Sequence, residues 1–539
     1  MELLVGVQPT GCLKLAESLL QQTTYLAMDQ LSELLCKIAS HGERVAILYR
    51  GKTLTYQELV GRVTQFADFL ISQGFGENRS LATALNNGTE QVIVHLGAFL
   101  AGVPLIRLRP TAPPPQLHHC LKTIQTHGLI ATEEILDSVD HECIPECVIR
   151  NDWFDEMETP GSRSATSMVD LIRSVDADGE RIATITFTSG TTARPKGVIH
   201  RRQAVANAIQ RTIQALDYDA DDVVLVRMAL YAQIGMIVQA LPALVVGARI
   251  DLATSAPVEA YHQAFGSNPT KTLLFDAPAI LSEVMRSQDM TGFGMEQLRA
   301  IWAGGDFITP RIQARSFAIS GKYISVAYGM TEVGLISVMH SDEDNEHPQS
   351  GLVGFPLPDT QIRILDDSDG ELPANQKGNI HVKTSSSFDG YCNLPELTSS
   401  VLNSEGWIST GDIGMMDESG RLHLLGRRKE MIVINGWKVA PVEIETVILS
   451  HPGVQQAAVV GVEEDEGVCR IEAFVVIREG FEPTPSREDL LELATERLEK
   501  FMIPSGIHFV QRLPYFPTGK IDRERLLMIS LAGMIDELM

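Results

Sequence analysis

The sequence is poor in cysteine and arranges what it has without a plan for crosslinking. Seven cysteines are scattered through 539 residues, an odd number without the tight spacing of a disulfide-stapled domain, so a reducing compartment is expected. His141, Cys143 and Cys147 lie close together, but no second ligand pair follows at zinc-site spacing, and they read as a loop with incidental thiols. The first residues, Met1-Glu2-Leu3-Leu4, lack the basic start and small-residue cleavage site of a secretory signal, which points to a cytoplasmic protein. Positive charge is also scarce. There are 44 Lys and Arg against 69 Asp and Glu, a net charge of −25, so neither nucleic acid nor an anionic membrane is an expected partner. Long uncharged runs are rare too. Residues 228–248 are long enough to span a bilayer, yet Gln233, Gly235, Gln239, Pro242 and Gly247 interrupt them. A helix followed by a buried strand is expected there, and no membrane span.

What remains is an ordinary globular balance, 44% hydrophobic and 21% charged, in a chain too long for one core, so at least two domains are expected. Residues 45–49 read as a strand, Gly51-Lys52 as a turn, and Thr55 as the N-cap of a helix reaching Leu70. Residues 91–100 read as helix, 102–106 as a turn into a short strand, 113–115 as a loop and 155–165 as a polar connection. Apolar strands alternating with helices predict α/β layering with substantial parallel sheet. The character changes after Leu425. The charged cluster Gly426-Arg427-Arg428-Lys429-Glu430 precedes short β-rich runs at 457–461 and 471–477 and a helix around 487–500. The prediction is a large layered α/β N-terminal domain with mixed sheets over residues 1–427, and a small α+β C-terminal domain over 428–539.

The segment with the most chemistry is Thr186-Phe187-Thr188-Ser189-Gly190-Thr191-Thr192-Ala193-Arg194-Pro195-Lys196-Gly197-Val198. An apolar run feeds a loop of Thr188, Ser189, Gly190, Thr191 and Thr192, closed by Lys196. Small side chains let backbone N–H groups approach phosphate oxygens, hydroxyls add donors, and the lysine neutralises charge. The spacing is not that of a Walker loop. The segment closely resembles the phosphate loop of the adenylate-forming superfamily, which includes acyl-CoA synthetases, luciferases and the adenylation domains of peptide synthetases. The resemblance covers nearly the whole chain, because further motifs follow in the family's order.

Ala303-Gly304-Gly305-Asp306 resembles the loop that passes beside adenine and the acyl group. Ala327-Tyr328-Gly329-Met330-Thr331-Glu332 resembles the adenine and magnesium motif. The resemblance implies that Tyr328 stacks on adenine next to Gly329, that Thr331 contacts the α-phosphate, and that Glu332 holds Mg²⁺, for which a carboxylate is a suitable hard ligand. In Ser409-Thr410-Gly411-Asp412 the matching aspartate, Asp412, holds the ribose hydroxyls, since one carboxylate accepts from both. Arg427 is implied to touch the nucleotide, Lys429 to be the hinge, and Gly436 to border a pantetheine tunnel where only a missing side chain leaves room. In Pro517-Thr518-Gly519-Lys520-Ile521-Asp522-Arg523, Lys520 matches the mobile catalytic lysine that bridges the substrate carboxylate and the α-phosphate. Thr188, Glu332 and Lys520 are the expected catalytic residues.

The chain departs from the family pattern at three places. Ala193 stands where the phosphate loop usually has glycine. Leu230-Tyr231-Ala232-Gln233-Ile234-Gly235 lacks the aromatic-histidine pair of many acyl-CoA synthetases, with Ala232 at the histidine position, and Asn379 follows Gly378 where glutamate is common. The 230–235 stretch also lacks the aspartate with which amino-acid-activating domains hold an ammonium, and a buried ammonium without a carboxylate is costly. A hydrophobic acyl or aryl acid is therefore expected, in a pocket that includes Tyr231, Gly235 and Ala303. The expected reaction uses ATP and Mg²⁺ to form acyl-AMP and then transfers the acyl group to the thiol of CoA. A freestanding carrier protein is the alternative acceptor, because no Asp-Ser-Leu attachment motif follows Lys520. An alternative of another class is a non-catalytic nucleotide-binding relative, against which the retention of Lys196, Glu332, Asp412 and Lys520 counts.

Overall fold

Local chemistry sets the starts and stops of the elements. Thr55 caps the helix Tyr56–Ser72 with a capping box, its N–H donating to the Glu58 carboxylate at 2.8 Å. The turn before it uses positive φ at Arg50 and Gly51, between the strands Val45–Tyr49 and Lys52–Thr55. Where the sequence suggests a loop at 113–115, the chain begins the helix Pro114–Ile124 instead. A proline in the first helical turn has no N–H to leave unsatisfied, and its fixed φ suits the helix. The computed structural model describes residues 29–538 apart from 141, 143, 146, 155–164, 175–177, 189–194, 254–258, 260, 262–271, 287–297, 342–350, 435–436, 464–468, 516–520 and 536–537. The sparse thiol group at 141–147 and the polar connection at 155–165 thus lie largely outside the described residues.

The chain divides into two units, one of residues 1–274, 330–335 and 384–402, the other of 275–329, 336–383 and 403–539. The first unit holds a seven-stranded sheet. Its order is Gly390–Tyr391, Lys196–Arg201, Ile182–Thr188, Leu105–Arg107, Leu81–Ala84, Gly128–Ala131, Cys147–Arg150. The inner strands are parallel, while Lys196–Arg201 runs antiparallel to both its neighbours. Parallel strands buried on both faces usually read as continuous apolar runs, whereas here Thr83, Arg107, Thr184 and Thr186 are buried among the apolar residues. In the same unit Arg249–Leu252 lies parallel between Val45–Tyr49 and Val223–Val226.

The uncharged stretch 228–248 forms a π-helical run, Ile234–Ala240, continuing into the α-helix Leu241–Val246 and stopped by Gly247 at φ 92°. The buried strand Arg249–Leu252 follows. Pro242 falls in the first turn of the α-helical part, where its missing N–H is tolerated. Among the described residues no helix is long and apolar enough to cross a membrane.

In the second unit Leu298–Gly304 lies parallel to Ser325–Met330. An antiparallel set follows, Gln361–Leu365, Gly378–Lys383, Ile408–Met416, Leu422–Arg427 and Leu352–Pro356 in that order. The C-terminal part is a separate small α+β domain with a core on each face of a three-stranded sheet. The strands Val454–Glu463 and Cys469–Ile477 are antiparallel, and Gly506–Phe509 pairs parallel to the second. Alternation sends Ala457, Val459, Ala473 and Val475 to one face, against Ile444 and Ile448 of the helix Pro441–Leu449 and Leu490 of Arg487–Arg497. It sends Ala458, Val460, Phe474 and Val476 to the other, against Leu526 and Ile529 of Arg523–Ala532.

Candidate functional site

In the first unit the strand Ile182–Thr188 turns back into Lys196–Arg201 with Thr188 opposite Lys196. The hairpin register fixes where the proposed phosphate loop begins and ends. Ser189, Gly190, Thr191, Thr192 and Ala193 lie outside the described residues, so only its two shoulders are seen. Beside them stand Thr331 and Glu332, both partly buried. The Tyr391 hydroxyl donates to Glu332 Oε1 at 2.7 Å, and the ammonium of Lys196 lies 5.4 Å from the centroid of the same ring. Phe388 N–H donates to the Glu332 carbonyl at 2.7 Å. Tyr391 carries no signature in the sequence beyond following a glycine, and sequence reasoning missed it.

Behind this group runs a buried polar layer. Strand pairing puts Thr83, Arg107 and Thr186 in one row, and the Arg107 guanidinium donates to Thr186 Oγ1 and Gln233 Oε1. Arg107 is fully buried, and its Nε and Nη1 have no partner among the described residues. Burial pulls its pKa down to about 9, and burial with the Arg107 charge pulls His95 and His200 down to about 3, so both imidazoles are neutral. Gln233 thus serves the core. Tyr231, two residues earlier, is partly buried, which raises its phenol above the usual range. Gly235 is crowded: a Cβ there would sit 2.2 Å from the Ala229 carbonyl oxygen.

In the second unit Asp412 is the centre. It is buried, paired across the strands with Arg427, whose Nε lies 2.9 Å from Oδ1. The Tyr328 hydroxyl donates to Oδ2 at 2.5 Å. Burial first, then the Asp412 charge, pushes the Tyr328 phenol well above its usual pKa. The structure therefore brings together three residues that stand far apart in the sequence. Gly304 lies where a Cβ would come 2.7 Å from the Ala327 carbonyl, which explains a glycine between two parallel strands, and Gly305 turns the chain at φ 90°. Ala303 is fully buried beside them. Asp306 accepts from Phe307 N–H at 2.8 Å and lines a small concavity with Gln313, Val326, Gly351 and Leu424. Gly329 is exposed.

Lys429 sits in the short 3₁₀ turn Arg428–Glu430, its ammonium 3.6 Å from Glu524. Arg523 lies 3.4 Å from Glu430 and 3.0 Å from Glu445. Tyr515 and Ile521 pair as an antiparallel bridge on either side of residues 516–520. Lys520 itself, like Gly436, lies outside the described residues. Asn379 is buried and donates to the carbonyls of Leu365 and Asp366 at 3.4 and 3.3 Å, a tie between strands. Among the described residues no group of three or more His, Cys, Asp or Glu gathers as a metal cage.

A large layered α/β body with a separate small α+β C-terminal domain is the architecture of the adenylate-forming class of enzymes. The chain belongs to the AMP-binding enzyme family of the adenylate-forming superfamily: residues 37–392 match the AMP-binding enzyme domain and 443–520 the AMP-binding enzyme C-terminal domain. It is 26% identical over 526 residues to the long-chain-fatty-acid–CoA ligase of Escherichia coli O6:H1, covering 91% of this chain and 92% of that one. It is also 26% identical to the mitochondrial medium-chain acyl-CoA ligase ACSF2 of Mus musculus, over 90% of this chain and 84% of that one. The fold is shared with ATP-bound MatB from Rhodopseudomonas palustris, at 24% identity, a TM-score of 0.81 and coverage of 92% and 98%.

Proposed function

We propose that this protein joins a carboxylic acid to AMP at the expense of ATP, releasing pyrophosphate, and then passes the acyl group to the thiol of CoA. It is thus read as an AMP-forming acid–thiol ligase of the acyl-CoA synthetase kind. The observation that carries the reading is Lys196 and Glu332 set about one buried tyrosine, in a chain similar to acyl-CoA ligases over about nine tenths of its length.

In the first step a carboxylate oxygen attacks the α-phosphorus and pyrophosphate leaves; in the second the thiol attacks the acyl carbon and AMP leaves. The phosphorus is the electrophile, so no protein nucleophile is needed, and catalysis rests on positioning and charge. Lys196 offsets phosphate charge, Asp412 accepts from ribose hydroxyls, and Lys520 bridges the acid and the α-phosphate. Glu332 fits Mg²⁺, because among the described residues only one of its carboxylate oxygens accepts a hydrogen bond, leaving a hard ligand free. The bound ion would neutralise phosphate charge. The remaining assignments follow the same reading: a cytoplasmic enzyme, a body of residues 1–427, a mobile domain of 428–539 turning at Lys429, and Gly436 lining the thiol path. Hydrophobic acyl or aryl acids are the proposed substrates, on the apolar character of 228–246 and the names of the relatives.

Pyrophosphate release from ATP and Mg²⁺ with fatty, aryl and amino acids tests this, wild type beside Lys520→Ala. Release is expected with a hydrophobic acid, falling by roughly 10²-fold or more in the variant, as for removal of one charge-stabilising donor. CoA and a pantetheine-bearing carrier, added in turn, identify the acceptor. Silence with every acid, with ATP still bound, would favour the non-catalytic relative.

A further inference from the structure

We infer that Tyr391 is a positioning residue that keeps Lys196 and Glu332 from neutralising each other, so that each meets the nucleotide as a free charge. The inference rests on the adenylation reading given above. A cation and an anion that both serve phosphate and metal stand close together in a partly desolvated place, where their attraction is stronger than in water. Yet among the described residues no ion pair joins them. Tyr391 engages both instead, the carboxylate at its hydroxyl, 2.7 Å away, and the ammonium against its ring, 5.4 Å from the centroid. A cation–π contact is weak enough to be given up when phosphate arrives. The phenol holds Glu332 by one oxygen and leaves the other for a metal ion.

The ring is itself held on every side. Tyr391 is 7% exposed. Its N–H donates to Thr398 Oγ1 at 2.9 Å, and Phe388 meets it edge-on at 5.0 Å. Gly390 and Tyr391 pair with Ile199 and Val198 on the strand that begins at Lys196. Gly390 takes φ 143°, and a Cβ there would come 2.8 Å from Thr398, so glycine is needed for the tyrosine to reach inward.

The full-length protein, Tyr391→Phe and Tyr391→Leu are compared in two binding measurements, ATP by calorimetry in EDTA and Mn²⁺ by electron paramagnetic resonance at saturating ATP. The phenylalanine keeps the ring under Lys196, so metal-free ATP affinity should stay within about threefold. Mn²⁺ affinity should fall about tenfold, the usual worth of a hydrogen bond to a charged group. The leucine frees Lys196 to pair with Glu332, and metal-free ATP affinity should fall about tenfold as well. Adding Glu332→Gln to Tyr391→Leu should restore it, because the lysine then has no carboxylate to pair with. Glu332→Gln alone gives the gain from removing a carboxylate beside phosphate, and a merely structural tyrosine would give the double variant no recovery beyond that gain. Unchanged Mn²⁺ affinity in the phenylalanine variant, or no recovery beyond that gain in the double variant, overturns the inference. Binding shifts as expected in a protein that makes no pyrophosphate with any acid would uphold the inference and sink the adenylation reading.

Discussion

Asp412 shows how a single side chain gains its meaning from its surroundings. Its two oxygens are engaged by Tyr328 at 2.5 Å and Arg427 at 2.9 Å, and its own N–H donates to Thr410 Oγ1 at 3.1 Å. A carboxylate has further lone pairs for ribose hydroxyls, while an amide would offer one acceptor and two mismatched donors. Asp412→Asn should raise the KM for ATP about tenfold or more, with the KM for the acid little changed, as read by pyrophosphate exchange. The motif around Asp412 was legible in the sequence. Tyr391 and Arg107 were not, because nothing about a Gly-Tyr pair or an arginine in an apolar run says which buried neighbours the sheet will supply. The buried layer around Arg107 has its own consequence. His95 and His200 titrate near 3 in the fold, well below the ordinary histidine value of 6.5. The unfolded chain therefore binds more protons between those values. Stability is fully present above about pH 6.5 and is lost as pH falls toward 3. Unfolding free energies from denaturant titrations at pH 7 and pH 5 should differ by about 1–2 kcal/mol per histidine, and His95→Gln should reduce the difference.

At the scale of elements, periodicity and punctuation carried most of the information. The helix from Tyr56, the strand at Val45–Tyr49 and the alternating strands of the C-terminal domain stand where apolar spacing and a capping threonine put them. Prolines were harder to read, because the same residue that marks a loop also opens a helix, as Pro114 does. Gly235 is instructive in another way. A glycine in a stretch expected to line an acyl pocket suggests space, whereas here the backbone of Ala229 occupies it. Gly235→Ala should cost about 1–3 kcal/mol in a denaturant titration, as overpacking does. The ranking of acids by kcat/KM should stay the same, and a reordered ranking would return Gly235 to the pocket wall.

At the scale of the whole molecule, distant segments are tied by charge. Arg523 follows Lys520 by three positions and meets Glu430, next to the proposed hinge, and Glu445, buried on the helix Pro441–Leu449. Burial raises the Glu445 pKa, against which the Arg523 charge pulls it back. Arg523→Met leaves that carboxylate without its cation, with only the Val459 N–H among the described residues still donating to it, and should cost about 3–5 kcal/mol. Adding Glu445→Leu should recover much of the stability, since an apolar pair tolerates burial. If Arg523 also positions the segment bearing Lys520, the double variant, though folded, should remain slow in pyrophosphate release. Recovery of both stability and rate would reduce Arg523 to a structural role.

The sequence by itself determined the class of architecture and the family to which the chain belongs. These follow from local patterns: apolar periodicity, and glycines and hydroxyls at fixed spacing. Only the tertiary structure decided that Tyr391 stands between Lys196 and Glu332, that Asp412 joins Tyr328 to Arg427, and that Arg107 is buried with no acid paired to it among the described residues. Strand pairing across tens to hundreds of residues creates those neighbourhoods, and it obeys the register of whole sheets rather than any short run of residues.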